Sequence, residues 1–163
     1  MKIETNIKPT EAINVIHQAF KRYETDPQPS SALSETENTI QNELNQGTEL
    51  FGVYDNDKLI GIVKCALNNE YIYFSRLSVL PQSQGKGIAT SLVKYLEYYA
   101  VQNNVFTSKC KVRKSEKYNI DLYSKLGYDI VEEDIFVNKN GDEIPIITMS
   151  KNLNPKVDEV LNA

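Results

Sequence analysis

Leu77-Ser78-Val79-Leu80-Pro81-Gln82-Ser83-Gln84-Gly85-Lys86-Gly87-Ile88-Ala89-Thr90 changes its periodicity in mid-course. Ahead of it, Tyr71 to Leu80 reads as a strand that Pro81 closes. Behind it, Ile88, Leu92, Leu96 and Tyr99 recur at helical spacing and predict a helix from about Gly85 to Ala100. Between the two, Gly85-Lys86-Gly87 is a turn whose glycines let the backbone approach a ligand closely, while the start of the helix offers unpaired N–H groups to an anion. Lys86 adds a point charge, and Ile88 and Leu92 fasten the helix to the sheet so that the turn is held rigidly. The expected ligand carries phosphate. A connection with no ligand to hold could enter its helix through an ordinary polar cap.

Two nucleotide-binding turns rely on the same physics, and neither fits. A Walker P-loop requires Ser or Thr after its lysine to hold magnesium and an earlier glycine, but Lys86 is followed by Gly87, and Val79 to Gln84 contain no glycine. A Rossmann turn requires a third glycine where Thr90 stands, and an acidic residue some twenty positions on, where Ser108, Lys109 and Lys111 lie.

Upstream of this stretch, Glu49–Tyr54, Lys58–Ala66 and Tyr71–Leu80 read as an antiparallel meander across the turns Asp55-Asn56-Asp57 and Asn68-Asn69. Earlier still, a short strand at Lys2–Asn6 leads to a helix begun by Pro9-Thr10-Glu11 and carrying Ile13, Ile16, Ala19 and Phe20. The stretch Glu24–Ser34 with Pro27 and Pro29 is a loop, and Ser34-Glu35-Thr36-Glu37 starts a second helix with Ile40 and Leu44, running towards Gly47. Downstream, Val105–Val112 is a strand and Ser115–Leu126 a helix ended by Gly127. Tyr128–Val137 and Ile144–Ser150 then pair across Asn138-Lys139-Asn140-Gly141. No repeat, low-complexity tract or linker divides the chain, so one domain is expected over residues 1–163, with a core at about 1–151 and a peripheral tail at 152–163.

Composition narrows the function classes. The 163 residues are 40% hydrophobic and 25% charged, as in ordinary globular domains. No apolar run approaches the roughly 20 residues of a membrane span, and Met-Lys-Ile-Glu-Thr-Asn lacks the apolar stretch of a signal peptide, so a cytoplasmic protein without a membrane partner is expected. A net charge of −4 has the wrong sign for a protein that tracks nucleic-acid phosphates. Cys65 and Cys110 each sit in an apolar stretch and read as reduced, buried thiols. His17, the single histidine, lies in an amphipathic helix and reads as structural or surface. Neither a histidine-based zinc site nor a Ser-His-Asp triad has the material it needs, and no metal is expected.

From Tyr71 to Tyr128 the chain resembles the GNAT superfamily of N-acetyltransferases. Leu77-Ser78-Val79-Leu80-Pro81 followed by Gln84-Gly85-Lys86-Gly87-Ile88-Ala89 is similar to the family's strand-and-turn signature, in which Gln or Arg, two residues, Gly, one residue, then Gly or Ala cradles the coenzyme pyrophosphate. The resemblance implies an α+β three-layer fold, with a mixed, mostly antiparallel sheet of about seven strands flanked by about four helices. It implies that the N–H groups of Gly85 to Thr90 hold phosphate, and that the backbone of Leu77, Ser78 and Val79 pairs with the pantetheine arm of acetyl-coenzyme A as another strand would. Leu122-Tyr123-Ser124-Lys125-Leu126-Gly127-Tyr128 is similar to the family's helix and strand over the coenzyme's sulfur end, where Glu116, Asn119 and Tyr123 would lie against the coenzyme. Tyr123 takes the position of the family's general acid. A tyrosine of pKa near 10 can protonate a departing thiolate of pKa near 8.5 at a cost of about 1.5 units.

The chain also departs from that pattern. Asn stands seven residues before this tyrosine in many members, and an acidic base near the end of the preceding strand, where this chain has Glu116 and Lys111. Other members carry a glutamate six residues before the motif valine, where this chain has Tyr73. Glu70 and Glu116 are the candidate bases left, beside a water chain or an amine that loses its proton readily. The backbone N–H of Val79 is, by resemblance, a donor to the thioester oxygen. The implied reaction is direct acetyl transfer to an amine of a small molecule or of a peptide or protein, by a monomer or homodimer. Glu24, Asp26 and Glu35 near the proline loop are placed to attract a cationic amine, or else are solvated surface charge. The missing acidic base supports one rival, a non-catalytic module that senses acetyl-coenzyme A.

Overall fold

The period-2 and period-3.6 stretches of the sequence form, among the described residues, seven strands and four α-helices. In chain order they are β1 (Lys2–Glu4), α1 (Pro9–Phe20), α2 (Glu37–Asn45), β2 (Glu49–Asp55), β3 (Lys58–Leu67), β4 (Ile72–Val79), α3 (Ile88–Gln102), β5 (Thr107–Arg113), α4 (Lys117–Lys125), β6 (Asp129–Val137) and β7 (Glu143–Asn152). The structure is a computed structural model describing residues 1–24, 26 and 30–154. Pro27 and Pro29 of the expected loop, and 155–163 of the expected tail, lie outside the described residues. The strands follow the order β1-β2-β3-β4-β5-β7-β6, and the pairs β1·β2, β2·β3, β5·β7 and β6·β7 are all antiparallel. This is the mostly antiparallel seven-stranded α+β architecture that the sequence implied.

The chain forms two compact units. The first comprises Met1–Ala66 and Phe74–Leu96. There β2 and β3 pair with Phe51 opposite Val63 and a bulge at Val53/Tyr54, and Asn56 and Asp57 turn the hairpin with positive φ, which Asn and Asp tolerate best. Seven successive residues of β3, Leu59 to Cys65, are buried, so this strand is covered on both faces. Ala12, Val15 and Ile16 of α1, with Ile62, Phe74, Leu92 and Leu96, make the unit's apolar core, and Phe51 meets Tyr95 edge-on at 5.0 Å. Ser31–Ser34 form a 3-10 turn. Consequently α2 begins at Glu37, not Ser34, and Thr36 and Thr39 cap it reciprocally.

The second unit comprises Leu67–Tyr73 and the described residues from Glu97 to Asn154. Here β7 pairs with β5, Cys110 opposite Met149, and with β6, whose register slips by a bulge at Ile130/Glu132. Ile72, Ala100, Ser108 and Met149 are fully buried there, with Ile147 and Tyr128 nearly so. All nine residues of β6 are exposed, Ile130, Val131, Ile135, Phe136 and Val137 included. No helix among the described residues is long and apolar enough to cross a membrane.

Candidate active site

In the first unit β4 ends at Val79, and the chain rounds Pro81–Ser83 in one 3-10 turn. The Leu80 N–H donates to Ile60 O (2.9 Å), which ties this corner to β3. The Gln84 side-chain amide reaches back to the Val79 carbonyl (3.3 Å), so a polar side chain serves an acceptor that the strand's end leaves over. Gly85 and Gly87 have φ of +80° and +78°, a region that costs an L side chain about 1–2 kcal/mol. A Cβ at either position would meet no atom within 4 Å. Backbone conformation, not crowding within the chain, therefore demands glycine, and the front of the turn is open.

The Gly87 carbonyl accepts the first helical bond of α3 from the Ser91 N–H (3.0 Å), and the Ser91 hydroxyl as well (3.0 Å). The N–H groups of Ile88, Ala89 and Thr90 precede that bond and stand at the positive end of a 15-residue helix. Starting α3 at Ile88 rather than Gly85 frees the two glycines to shape the turn. Buried Ile88 and Leu92 hold the helix down, each contributing about 1.5–3 kcal/mol. Gly61 of β3 makes the room, since a Cβ there would lie 2.6 Å from Ile88 Cγ2. Lys86 is exposed beside the turn. Open N–H donors, left-handed glycines and a lysine fit a phosphate-bearing ligand such as a coenzyme pyrophosphate. Leu77 and Val79 are half-buried, and Ser78 is buried with its hydroxyl donating to Arg76 O (2.9 Å).

In the second unit, Glu116 precedes α4, and its spacing to Asn119 and Tyr123 places the three on one helical face. Glu116 and Asn119 are half-buried and Tyr123 is buried. Gly127, with φ +99°, ends the helix. Its N–H donates to Ser124 O (3.1 Å), while the Tyr128 N–H donates to Tyr123 O (2.9 Å), a Schellman closure that fixes the backbone of Tyr123. The Tyr123 ring meets the Tyr128 ring edge-on at 6.2 Å. Tyr128 is locked in turn: its hydroxyl donates to Glu97 Oε2 (2.7 Å) and lies 2.7 Å from Ser108 Oγ, with Lys151 Nζ 3.0 Å from the other Glu97 oxygen. Burial, then the Glu97 charge, pushes the Tyr128 hydroxyl far above its ordinary pKa. Its proton is committed to Glu97, which makes Tyr128 a support for Tyr123.

Glu70 sits in the turn leading into β4, where its N–H donates to Asn68 Oδ1 (2.8 Å), whereas Leu77–Val79 close that strand. Cys65 and Cys110 are free thiols whose pKa is pushed up to about 12 by burial, and for Cys65 also by the Glu49 charge, so neither is a ready nucleophile. His17 donates from Nε2 to Glu35 O (2.9 Å) in a structural role. Glu24 and Asp26 are exposed. Glu35 corrects the surface reading: it is buried, its carboxylate paired with Lys64 Nζ and, at 2.7 Å, with Arg76 Nε. Lys64, itself buried, also pairs with Glu43 (2.7 Å). Burying a carboxylate alone would be costly, and two cations from β3 and β4 make it possible. Nothing local in the sequence marks this cluster, because its partners are 29 and 41 positions from Glu35.

A family model described as the Acetyltransferase (GNAT) family matches residues 13–128. No curated protein matches the chain. Among solved structures, the chain is similar to the ribosomal-protein-S18-alanine N-acetyltransferase from Escherichia coli, at 18% identity over 95% of both chains with a TM-score of 0.76. It is similar also to the PaiA N-acetyltransferase from Thermoplasma acidophilum in complex with coenzyme A, at 16% identity over 93% of this chain and 99% of that one, TM-score 0.74. The aminoglycoside 6'-N-acetyltransferase from Enterococcus faecium matches at 18% identity over 96% and 99%, TM-score 0.70. At these identities the likeness is one of fold.

Proposed function

This chain belongs to the GNAT acetyltransferase family and is an acyl-CoA-dependent N-acetyltransferase, and from that premise we propose how its residues divide the work. The observation that carries the reading is the turn at Gly85 and Gly87, where two left-handed glycines open onto the start of α3. The N–H groups from Gly85 to Thr90, with Lys86 and Gln84 beside them, hold the pyrophosphate of acetyl-coenzyme A. Leu77, Ser78 and Val79 offer backbone groups to its pantetheine arm. The Val79 N–H donates to the oxygen on which negative charge develops as the amine attacks; removing a donor of this kind from an acyl-transfer site costs about 10²–10³ in rate. Tyr123 Oη gives its proton to the departing sulfur, with Glu116 and Asn119 beside it on the same helical face.

Acetyl-coenzyme A supplies the acetyl group as a thioester, and transfer to the amine is direct. An amine of pKa near 10.4 is neutral in only about one molecule per few thousand at pH 7, so the acceptor must lose a proton before it attacks. Glu116, Glu70 or an ordered water chain are the routes for that proton. The acceptor class is an amine of a small molecule or of a peptide or protein. A cytoplasmic location is part of the same proposal.

Thermal unfolding with acetyl-coenzyme A, with NAD and ATP as controls, tests the coenzyme assignment. Saturation to about a hundred times Kd adds about 2.7 kcal/mol, a rise of roughly 5–10 °C for a domain this size. A rise with acetyl-coenzyme A alone, followed by acetylation of members of an amine panel, is the expected result. No rise with it, or a larger one with NAD or ATP, would overturn the assignment of the turn.

A further inference from the structure

Four described residues other than glycine have left-handed backbone: Asn56, Asp57, Asn104 and Arg76. Three are the residue types that tolerate it. Arg76, at φ +55°, is not, and it stands inside β4 rather than in a turn. Such a conformation persists only where the surroundings over-determine it, and here both ends of the residue are held. Its carbonyl accepts from Ser78 Oγ (2.9 Å). Its guanidinium donates from Nε to Glu35 Oε2 (2.7 Å) and from Nη2 to Ser31 Oγ (2.9 Å).

Glu35 is held just as firmly. Its carbonyl accepts from His17 of α1, and its other carboxylate oxygen is paired with Lys64 of β3, which Glu43 of α2 also engages. The anchor of the strained residue is therefore the connection between α1 and α2. The three residues that follow Arg76 are Leu77, Ser78 and Val79, and their peptide directions are inherited from its φ and ψ.

We propose that Glu35 and Arg76 are positioning residues for acyl transfer: their ion pair holds β4 in the left-handed step that aims the Val79 N–H, and it links that aim to the α1–α2 connection. In its catalytic consequence the inference rests on the role proposed above for Val79; in its backbone consequence it does not. Glycine could occupy position 76 without strain, but it could not reach Glu35. The arginine is there because the step must be both adopted and tethered.

Glycine rescue tests this. Arg76→Ala loses the tether and disfavours the left-handed step, whereas Arg76→Gly loses the tether and keeps the step accessible. With both variants shown folded by thermal unfolding, kcat for acetyl transfer should fall at least tenfold further in Arg76→Ala than in Arg76→Gly, as expected when a donor is misaimed by a fraction of an ångström to an ångström. Glu35→Gln should lower kcat in the Arg76 background and add little in the Arg76→Gly background, a non-additivity that shared action requires. Amide chemical shifts of Leu77, Ser78 and Val79 should stay near wild type in Arg76→Gly and move in Arg76→Ala; this readout holds even if the wild-type chain transfers no acetyl group. Alanine and glycine variants that fall together, or unmoved amide shifts in both, would overturn the positioning role. A wild-type chain without transferase activity but with the expected shift pattern would count against the roles assigned to Val79 and Tyr123 alone.

Discussion

Tyr123, the proposed acid, sits in a frame that a conservative change leaves intact. Its backbone is fixed by the closure at Gly127 and its ring by the edge-on contact with Tyr128. Tyr123→Phe removes one oxygen and keeps that packing. If the hydroxyl protonates the departing sulfur, kcat should fall by roughly a hundred- to ten-thousand-fold while the Kd for acetyl-coenzyme A changes less than about threefold. Steady-state kinetics beside calorimetric binding separate the two quantities, and an unchanged kcat would remove Tyr123 from the acid role. The same logic excludes Tyr128, whose proton is held by Glu97.

Among the elements, the contact between β3 and α3 links stability to the turn proposed to hold the coenzyme. Gly61→Ala would place a methyl 2.6 Å from Ile88 Cγ2, a branched side chain with little freedom to yield. Overpacking of this kind costs about 1–3 kcal/mol, and because Ile88 is the first residue of α3, relief by shifting the helix moves the N–H groups of the turn. The variant should melt several degrees lower and bind acetyl-coenzyme A more weakly. Lower stability with unchanged affinity would show that the strain is absorbed away from the turn. This level of organisation was also the most readable in the sequence. The period of Ile88, Leu92 and Leu96, the stop at Pro81 and the glycines at 85, 87 and 127 are local signals, and each marked a real boundary to within a few residues. The helix expected to start within Ser34-Glu35-Thr36-Glu37 begins after Thr36, because Ser31–Ser34 close a 3-10 turn first. Lys64 and Glu35 were not legible, for a physical reason: a charge in a strand or loop reads as solvated unless its partner is known, and partners 29 and 41 positions from Glu35 leave no periodic trace. Arg76 was equally silent, since φ is dictated by contacts and arginine carries no preference for the left-handed region.

Across the whole molecule, buried protons set the alkaline limit. Cys65 and Cys110 are raised from 9.0 to about 12 by burial, with the Glu49 charge adding to Cys65, and Tyr54 from 10.0 to about 12 by burial and its hydrogen bond to Glu11. Between those values the folded chain keeps protons that the unfolded chain has released. Stability is therefore full below about pH 9 and is lost progressively towards about pH 12. Urea midpoints should fall between about pH 8 and about pH 11, and Cys65→Ser with Cys110→Ser should flatten that fall. A midpoint indifferent to pH in this window would mean that the folded chain releases these protons at the same pH as the unfolded chain.

The exposed strand β6 closes one end of the strand order, with apolar residues near both of its ends and Glu132-Glu133-Asp134 at its middle. If a second copy docked there antiparallel about its centre, Glu132 would face Asp134 and Glu133 would face its own twin, six carboxylates along one seam against the Lys114 that pairs with each Glu133. The rim that offers the most backbone to a stranger is thus the rim where likeness repels. In colloidal terms, the molecule carries its own dispersant, fixed at the place where chain-to-chain growth would begin.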